Sequence, residues 1–236
     1  MTESMGFDFP IGGLQKTTLL DFPGKVSAVV FAQGCNFLCP YCHNADLVLY
    51  RQRALPLTDV VAFLAQRRKV LEGVVISGGE PTLHDGLFSF CATLKSLGYA
   101  VKLDTNGSRP EVLHQLLVAE LLDYVAMDVK ANPRQYPAAL CLPDVGKNIP
   151  HSMALLEESR VRHEFRVPAV APFINADSFV TVIEHIRRAP LFLQAVKLEN
   201  VLQADFFPVK GHALDKSAME DLCGTARQKG LRCQIR

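Results

Sequence analysis

The chain reads as an α/β protein, a partial (β/α)6 barrel of the TIM-like kind with an N-terminal hairpin extension. Three observations predict this. Short β-rich runs alternate with amphipathic stretches of helical period, polar residues gather just after the runs, and no repeat, linker or low-complexity tract divides the 236 residues. Alternation of this kind means parallel strands joined by crossover helices. Periodicity alone leaves a doubly wound open sheet as the rival arrangement.

The segment from Gly12 to Lys25 comes first and reads as a hairpin with a Pro23-Gly24 turn. It is expected to cover one end of the barrel and to bring Asp21 toward the site. The strand runs follow at Ala28–Phe31, Val74–Ser77, Ala100–Leu103, Tyr124–Asp128, Glu164–Val167 and Ala195–Leu198. Between and after them, apolar residues recur with helical spacing over Asp59–Leu71, Leu87–Leu97, Glu111–Leu122, Ser178–Arg188 and Lys216–Lys229. Asn132 to Pro150 holds four of the 14 prolines and reads as a long surface loop. A single domain over 1–236 is therefore expected, with the extension at 1–25, the barrel core at 26–202 and a C-terminal segment at 203–236.

What closes each strand argues for the barrel. After the first comes a cysteine loop, after the second Ser77-Gly78-Gly79-Glu80-Pro81, and after the third Asp104-Thr105-Asn106-Gly107. Asp128 and Lys130 close the fourth, Arg166 the fifth, and Lys197 with Glu199 the sixth. In parallel βα architectures these C-terminal strand ends form the active-site face.

Composition bounds the rest. Apolar residues make up 49% and the net charge is +1, which suits a globular chain and argues against nucleic acid as the main partner. No long apolar run is fit to cross a membrane, and Met1 to Pro10 lacks a signal-peptide layout. The seven cysteines are odd in number, and Cys91, Cys141, Cys223 and Cys233 are scattered. That pattern is poor for a disulfide framework and suits a reducing cytoplasm.

The remaining three cysteines stand in Cys35-Asn36-Phe37-Leu38-Cys39-Pro40-Tyr41-Cys42. Thiolates at this spacing reach one small iron–sulfur cluster but supply only three of the four ligands a [4Fe–4S] cubane takes. The fourth iron is then open to a ligand. A structural zinc site needs four protein ligands, and His43 is too close to Cys42 to complete one. A zinc- or cluster-binding scaffold without catalysis is the non-enzymatic alternative.

Cys-x3-Cys-x2-Cys with an aromatic before its last cysteine resembles the signature of the radical S-adenosylmethionine (SAM) enzymes. The flanking Phe31-Ala32-Gln33-Gly34 and His43-Asn44 are similar to those of the glycyl-radical-enzyme activating enzymes. Within these the chain resembles the activating proteins of anaerobic ribonucleoside-triphosphate reductases, which are relatives of pyruvate formate-lyase activating enzyme. The resemblance implies a [4Fe–4S] cluster on Cys35, Cys39 and Cys42, with SAM on its open iron and Tyr41 against the adenine. It implies Gly78, Gly79 and Glu80 at the SAM amino group, and Asp104, Asp128 and Lys130 at SAM or at a monovalent cation beside it. Arg166 would contact the SAM carboxylate or ribose. His84, Lys197 and Glu199 carry no assigned role. A glycyl-radical enzyme is the implied protein partner and a flavodoxin- or ferredoxin-like protein the electron donor. A small-molecule radical SAM enzyme, such as 7-carboxy-7-deazaguanine synthase, is the second reading.

Overall fold

A computed structural model of the chain describes residues 6–207 and 211–236. Residues 1–5, part of the stretch read for a leader, lie outside them, as do residues 208–210 of the C-terminal segment. The strands are β1 (Ile11–Thr18), β2 (Ser27–Ala32), β3 (Gly73–Gly78), β4 (Ala100–Thr105), β5 (Tyr124–Asp128), β6 (Arg162–Pro168), β7 (Leu191–Gln194) and β8 (Cys233–Ile235). They follow chain order in one eight-stranded sheet. The helices are α1 (Ala45–Val48), α2 (Leu57–Arg67), α3 (Leu87–Ser96), α4 (Pro110–Val118), α5 (Pro143–Gly146), α6 (Ile149–Glu158), α7 (Ala176–Ile183) and α8 (Lys216–Gln228).

The chain divides into two compact units. The first is Met1–Cys35, Asp46–Thr105 and Glu111–Val125. Here β1 and β2 form the expected hairpin, closed by a Phe22-Pro23-Gly24-Lys25 turn in which the Lys25 amide donates to the Phe22 carbonyl at 3.1 Å. The hairpin's place differs from expectation. It does not cap a barrel end, because β1 pairs antiparallel along β2 as a sheet strand. Its turn, with Asp21, precedes β2, whereas Cys35 follows it, so Asp21 sits at the strand end away from Cys35 and bonds Thr18 at 2.6 Å. From β2 the sheet continues parallel through β3 and β4, Val29 opposite Val75 and Val75 opposite Lys102. Ala28, Val30, Val74, Val75 and Ile76 are fully buried, as apolar runs of a parallel strand covered on both faces should be.

The second unit is Asn36–Ala45, Asn106–Pro110 and Ala126–Arg236. β6, β7 and β8 are parallel, Phe165 opposite Leu191 and Leu191 opposite Cys233. Phe165, Val167, Leu191, Leu193, Met153 and Phe179 are its fully buried core. Full burial of each such side chain is worth roughly 1.5–3 kcal/mol. α7 opens on a capping box between Asn175 and Ser178, and α8 on Asp215, whose carboxylate accepts from the Ala218 amide at 2.8 Å.

Several expectations need correction. The last strand is Leu191–Gln194 and not Ala195–Leu198; Lys197 and Glu199 lie beyond it, exposed. Asn132 to Pro150 is no surface loop, since Tyr136, Leu140, Cys141 and Ile149 are buried and it contains α5. The helices α2, α4 and α7 stop short at Arg67, Val118 and Ile183, because Leu71, Leu122 and Ile186 bury themselves in the connections that follow. Cys223 on α8 and Cys233 on β8 are joined in a disulfide, Cα atoms 5.3 Å apart, although the scattered cysteines read as poor for a disulfide framework. Among the described residues, no helix is long and apolar enough to cross a membrane.

Candidate functional site

In the first unit, the chain leaving β2 is held before it reaches the cysteines. Gln33 donates its amide to Pro10 at 3.0 Å, and Gly34 donates to Leu47 at 2.8 Å. The Gly78-Gly79 crossing lies directly on this segment: the Gly79 amide donates to Ala32 at 2.9 Å and the Glu80 amide to Gly34 at 2.8 Å. Gly78 has φ +108°, and a Cβ at Gly79 would run into the Gly34 carbonyl. Glycine is needed here because two stretches of backbone approach each other. The pair thereby fixes the entry to the cysteine loop.

Glu80 is fully buried. Its Oε1 accepts from the Thr82 amide at 3.1 Å, from Thr82 Oγ1 at 2.6 Å and from Thr105 Oγ1 at 2.7 Å. Asp104, half-buried, accepts from Ser77 Oγ at 3.1 Å and is ion-paired with Lys102. Lys102 was not among the expected site residues, although its side chain is 0% exposed. His84 bonds the Gln33 carbonyl at 2.7 Å and meets the Phe9 ring edge-on.

In the second unit, the loop carrying Cys39, Tyr41 and Cys42 is tied on two sides. The Leu38 amide donates to Leu140 at 2.8 Å, and Phe37 bridges to Cys141. From the C-terminal part, the amides of Leu202 and Gln203 donate to the carbonyls of Cys42 (2.9 Å) and Pro40 (3.0 Å). Within the loop, the Cys42 amide donates to the Cys39 carbonyl at 2.9 Å, closing a tight turn between the two cysteines. Asn36 adds a side-chain bond to Ser108 at 2.9 Å and accepts from Asn106 at 3.0 Å. None of these anchors was legible as such; the proline-rich 132–150 stretch supplies one and the C-terminal segment the other.

Tyr41 is buried, its ring 5.7 Å from that of Phe173. Asp128 and Lys130 form an ion pair at 2.8 Å. Burial alone would lower the Lys130 ammonium, but Asp128, with Tyr41 and Cys39 beside it, holds it well above the usual range. Burial pushes the Cys39 thiol up to about 11, an effect that the nearby Lys130 charge reduces. Such a thiol becomes a thiolate when a metal takes its proton's place. Arg166 is ion-paired at 2.7 Å with Glu164, itself buried and also met by Arg236 at 3.2 Å. The carboxylate that pairs with Arg166 thus lies in the interior.

The donor set fits a cluster better than a single ion. Three cysteines in a Cys-x3-Cys-x2-Cys run are a donor set that would leave a cubane one open iron, as a reaction site requires. Among the described residues, no three His, Cys, Asp or Glu side chains gather closely enough to hold one metal ion.

The family model described as the radical SAM superfamily matches residues 29–155, more than half of the chain, from within β2 through the cysteine loop into α6. The chain belongs to the radical SAM superfamily. This makes it a member of an enzyme family whose chemistry uses a [4Fe–4S] cluster and SAM. A relative from Methanocaldococcus jannaschii, named provisionally as a glycyl-radical enzyme activating enzyme, is 32% identical over 190 residues, 77% of either chain. The pyruvate formate-lyase-activating enzyme of Listeria monocytogenes is 29% identical over 148 residues, 58% of either chain. The 7-carboxy-7-deazaguanine synthase of Aquifex aeolicus is 33% identical over 85 residues, 36% of this chain and 38% of the synthase. Among solved structures, Streptococcus suis SuiB bound to its precursor peptide SuiA superposes with TM-score 0.62 at 16% identity, covering 88% of this chain and 48% of SuiB. That likeness establishes the α/β fold of partial TIM-barrel type; this chain spans about half of SuiB.

Proposed function

We propose that the protein activates a glycyl-radical enzyme, of the type found in anaerobic ribonucleotide reduction. Cys35, Cys39 and Cys42 would hold the cluster, which would supply the electron for reductive cleavage of SAM, and the hydrogen atom abstracted in consequence would come from a backbone glycine of the partner. The chain's own residues bind and orient. Gly78 and Gly79 hold the backbone of Glu80, whose carboxylate is the acceptor for the SAM ammonium; Asp104, Asp128 and Lys130 are charged neighbours of SAM, and Tyr41 lies on the adenine side. Arg166, steadied by Glu164, is the donor for the SAM carboxylate or ribose. Holding reactants in one geometry and keeping water away is the protein's share of the work. A flavodoxin- or ferredoxin-like donor and a cytoplasmic setting belong to the same reading.

The observation that carries this reading is the extent of the likeness to the activating-enzyme relative, 77% of both chains, against 36% of this chain for the deazaguanine synthase. The synthase likeness sustains a second reading, in which a small molecule receives the radical. The deciding experiment uses anaerobically reconstituted protein with dithionite and SAM. The expected result is 5′-deoxyadenosine, with a glycyl radical signal in a partner reductase from the same source, and neither product in Cys35→Ala, Cys39→Ala or Cys42→Ala. SAM cleavage by a cysteine variant refutes the mechanism; formation of 7-carboxy-7-deazaguanine without any partner protein establishes the second reading.

A further inference from the structure

The resemblance places Asp104 and Asp128 at SAM or at a monovalent cation beside it. Both carboxylates already face an ammonium group of this chain. On β4, Lys102 and Asp104 are two residues apart and therefore on one face of the strand. The Lys102 side chain is 0% exposed and ion-paired with Asp104 Oδ1, while Ser77 Oγ donates to Oδ2 at 3.1 Å. The Tyr124 ring lies 6.0 Å from the same Nζ, within reach of a cation–π contact. In the other unit, Lys130 Nζ stands 2.8 Å from Asp128 Oδ2. Lysine is almost never fully buried unless paired. A metal ion placed on Asp104 would have to share one carboxylate with a fixed like charge, and the donor set around it therefore does not fit that ion.

We propose that Lys102 is the built-in counter-ion of Asp104, a positioning residue standing where a monovalent metal cation would otherwise be needed, so that SAM binding here requires no alkali ion. The inference rests on the reading that Asp104 lies at the SAM site. Unlike a dissociable ion, an ammonium tethered to β4 keeps its place whatever salt surrounds the protein. It also holds Asp104 in one orientation, together with Ser77.

The test is calorimetric titration of SAM into the reconstituted full chain, in potassium chloride and in tetramethylammonium chloride at equal ionic strength. Wild-type affinity is expected to agree between the two salts within about twofold. Lys102→Met is expected to bind SAM about tenfold or more weakly in tetramethylammonium, with recovery in potassium or ammonium chloride. The melting temperature of the cluster-free wild type should likewise not distinguish the two salts. Wild-type affinity that collapses without potassium overturns the inference, as does a Lys102→Met protein that binds like wild type in both salts. If Lys102→Met fails to take up a cluster, the wild-type salt comparison decides alone, with Lys102→Arg as the charge-retaining control. Absence of SAM binding by wild type in either salt would instead fell the functional reading, and this inference with it.

Discussion

Glu80→Gln separates the two things a buried carboxylate does. The three donors on Glu80 Oε1 come from Thr82, twice, and Thr105. Truncation to alanine would strand all three in the interior at about 1–3 kcal/mol each, enough to unfold the region and tell nothing about cofactor. Glutamine keeps an acceptor oxygen in the same place. Its neutral bonds are each weaker than charge-assisted ones by about 1 kcal/mol. Against that loss stands the relief of no longer burying a charge in a 0% exposed position. Net stability should therefore shift by only about 1–2 kcal/mol. Affinity for SAM should respond far more, since a charge-assisted bond to the ammonium is worth about 1.5–3 kcal/mol, or roughly 10- to 150-fold in Kd. Thermal denaturation of the reconstituted variant reads the first quantity and calorimetric titration with SAM the second. A variant with unaltered SAM affinity and a lowered melting temperature would refute the assignment, leaving Glu80 as the buried cap of the turn at Pro81–Leu83.

Other substitutions test other links. Gly79→Ala places a Cβ against the Gly34 carbonyl, so backbone must move; we expect loss of most iron uptake on reconstitution, measured by iron and sulfide analysis, with the fold retained by circular dichroism. Burial pushes the Cys91 thiol up to about 12, so at pH 8 only about one molecule in ten thousand carries the thiolate. Iodoacetamide should therefore spare Cys91 in the native protein and modify it in guanidinium, as read by peptide mass spectrometry; rapid native modification would show that the side chain is not enclosed. Phe165→Ala, in the core of the second unit, should cost about 3–5 kcal/mol in chemical denaturation.

Strand order and type were legible where apolar runs were bounded by glycine or charge, as at Val74–Ser77 before the Gly-Gly turn and at Tyr124–Asp128, whose limits match the structure. Leu191–Gln194 was missed because a short run buried on both faces has no alternation to betray it, whereas Ala195-Val196-Lys197-Leu198 alternates and is not a strand. The cysteine loop and the Gly78-Gly79-Glu80 turn were readable from motif alone. Their supports were not, because a backbone amide such as that of Leu202 leaves no mark in the side-chain pattern. Lys102 was hidden by its type, since a lysine inside a strand ordinarily signals the solvent face. The available clue was its i,i+2 relation to Asp104, which on a strand means one face and an opposite charge.

That clue occurs on successive strands: Lys102-x-Asp104 on β4, Asp128-x-Lys130 at the end of β5, and Glu164-x-Arg166 on β6. Each pair uses little chain to bring opposite charges together at a partly or fully buried place, and Glu164 keeps Arg236 at 3.2 Å as a second cation. Breaking a buried pair by removing one partner costs about 3–5 kcal/mol, whereas replacing both by apolar groups is often neutral. Loss of activity in Asp104→Ala would therefore report the buried Lys102 charge left behind as much as any contact with SAM, whereas in Arg166→Ala Glu164 would still have Arg236. The contribution to SAM binding becomes measurable only in a cycle: Glu164→Gln, Arg166→Met and the double variant, each compared for stability and for SAM affinity. If Arg166 acts only through its structural pair, the double variant regains affinity along with stability. If it also contacts SAM, stability returns and affinity does not.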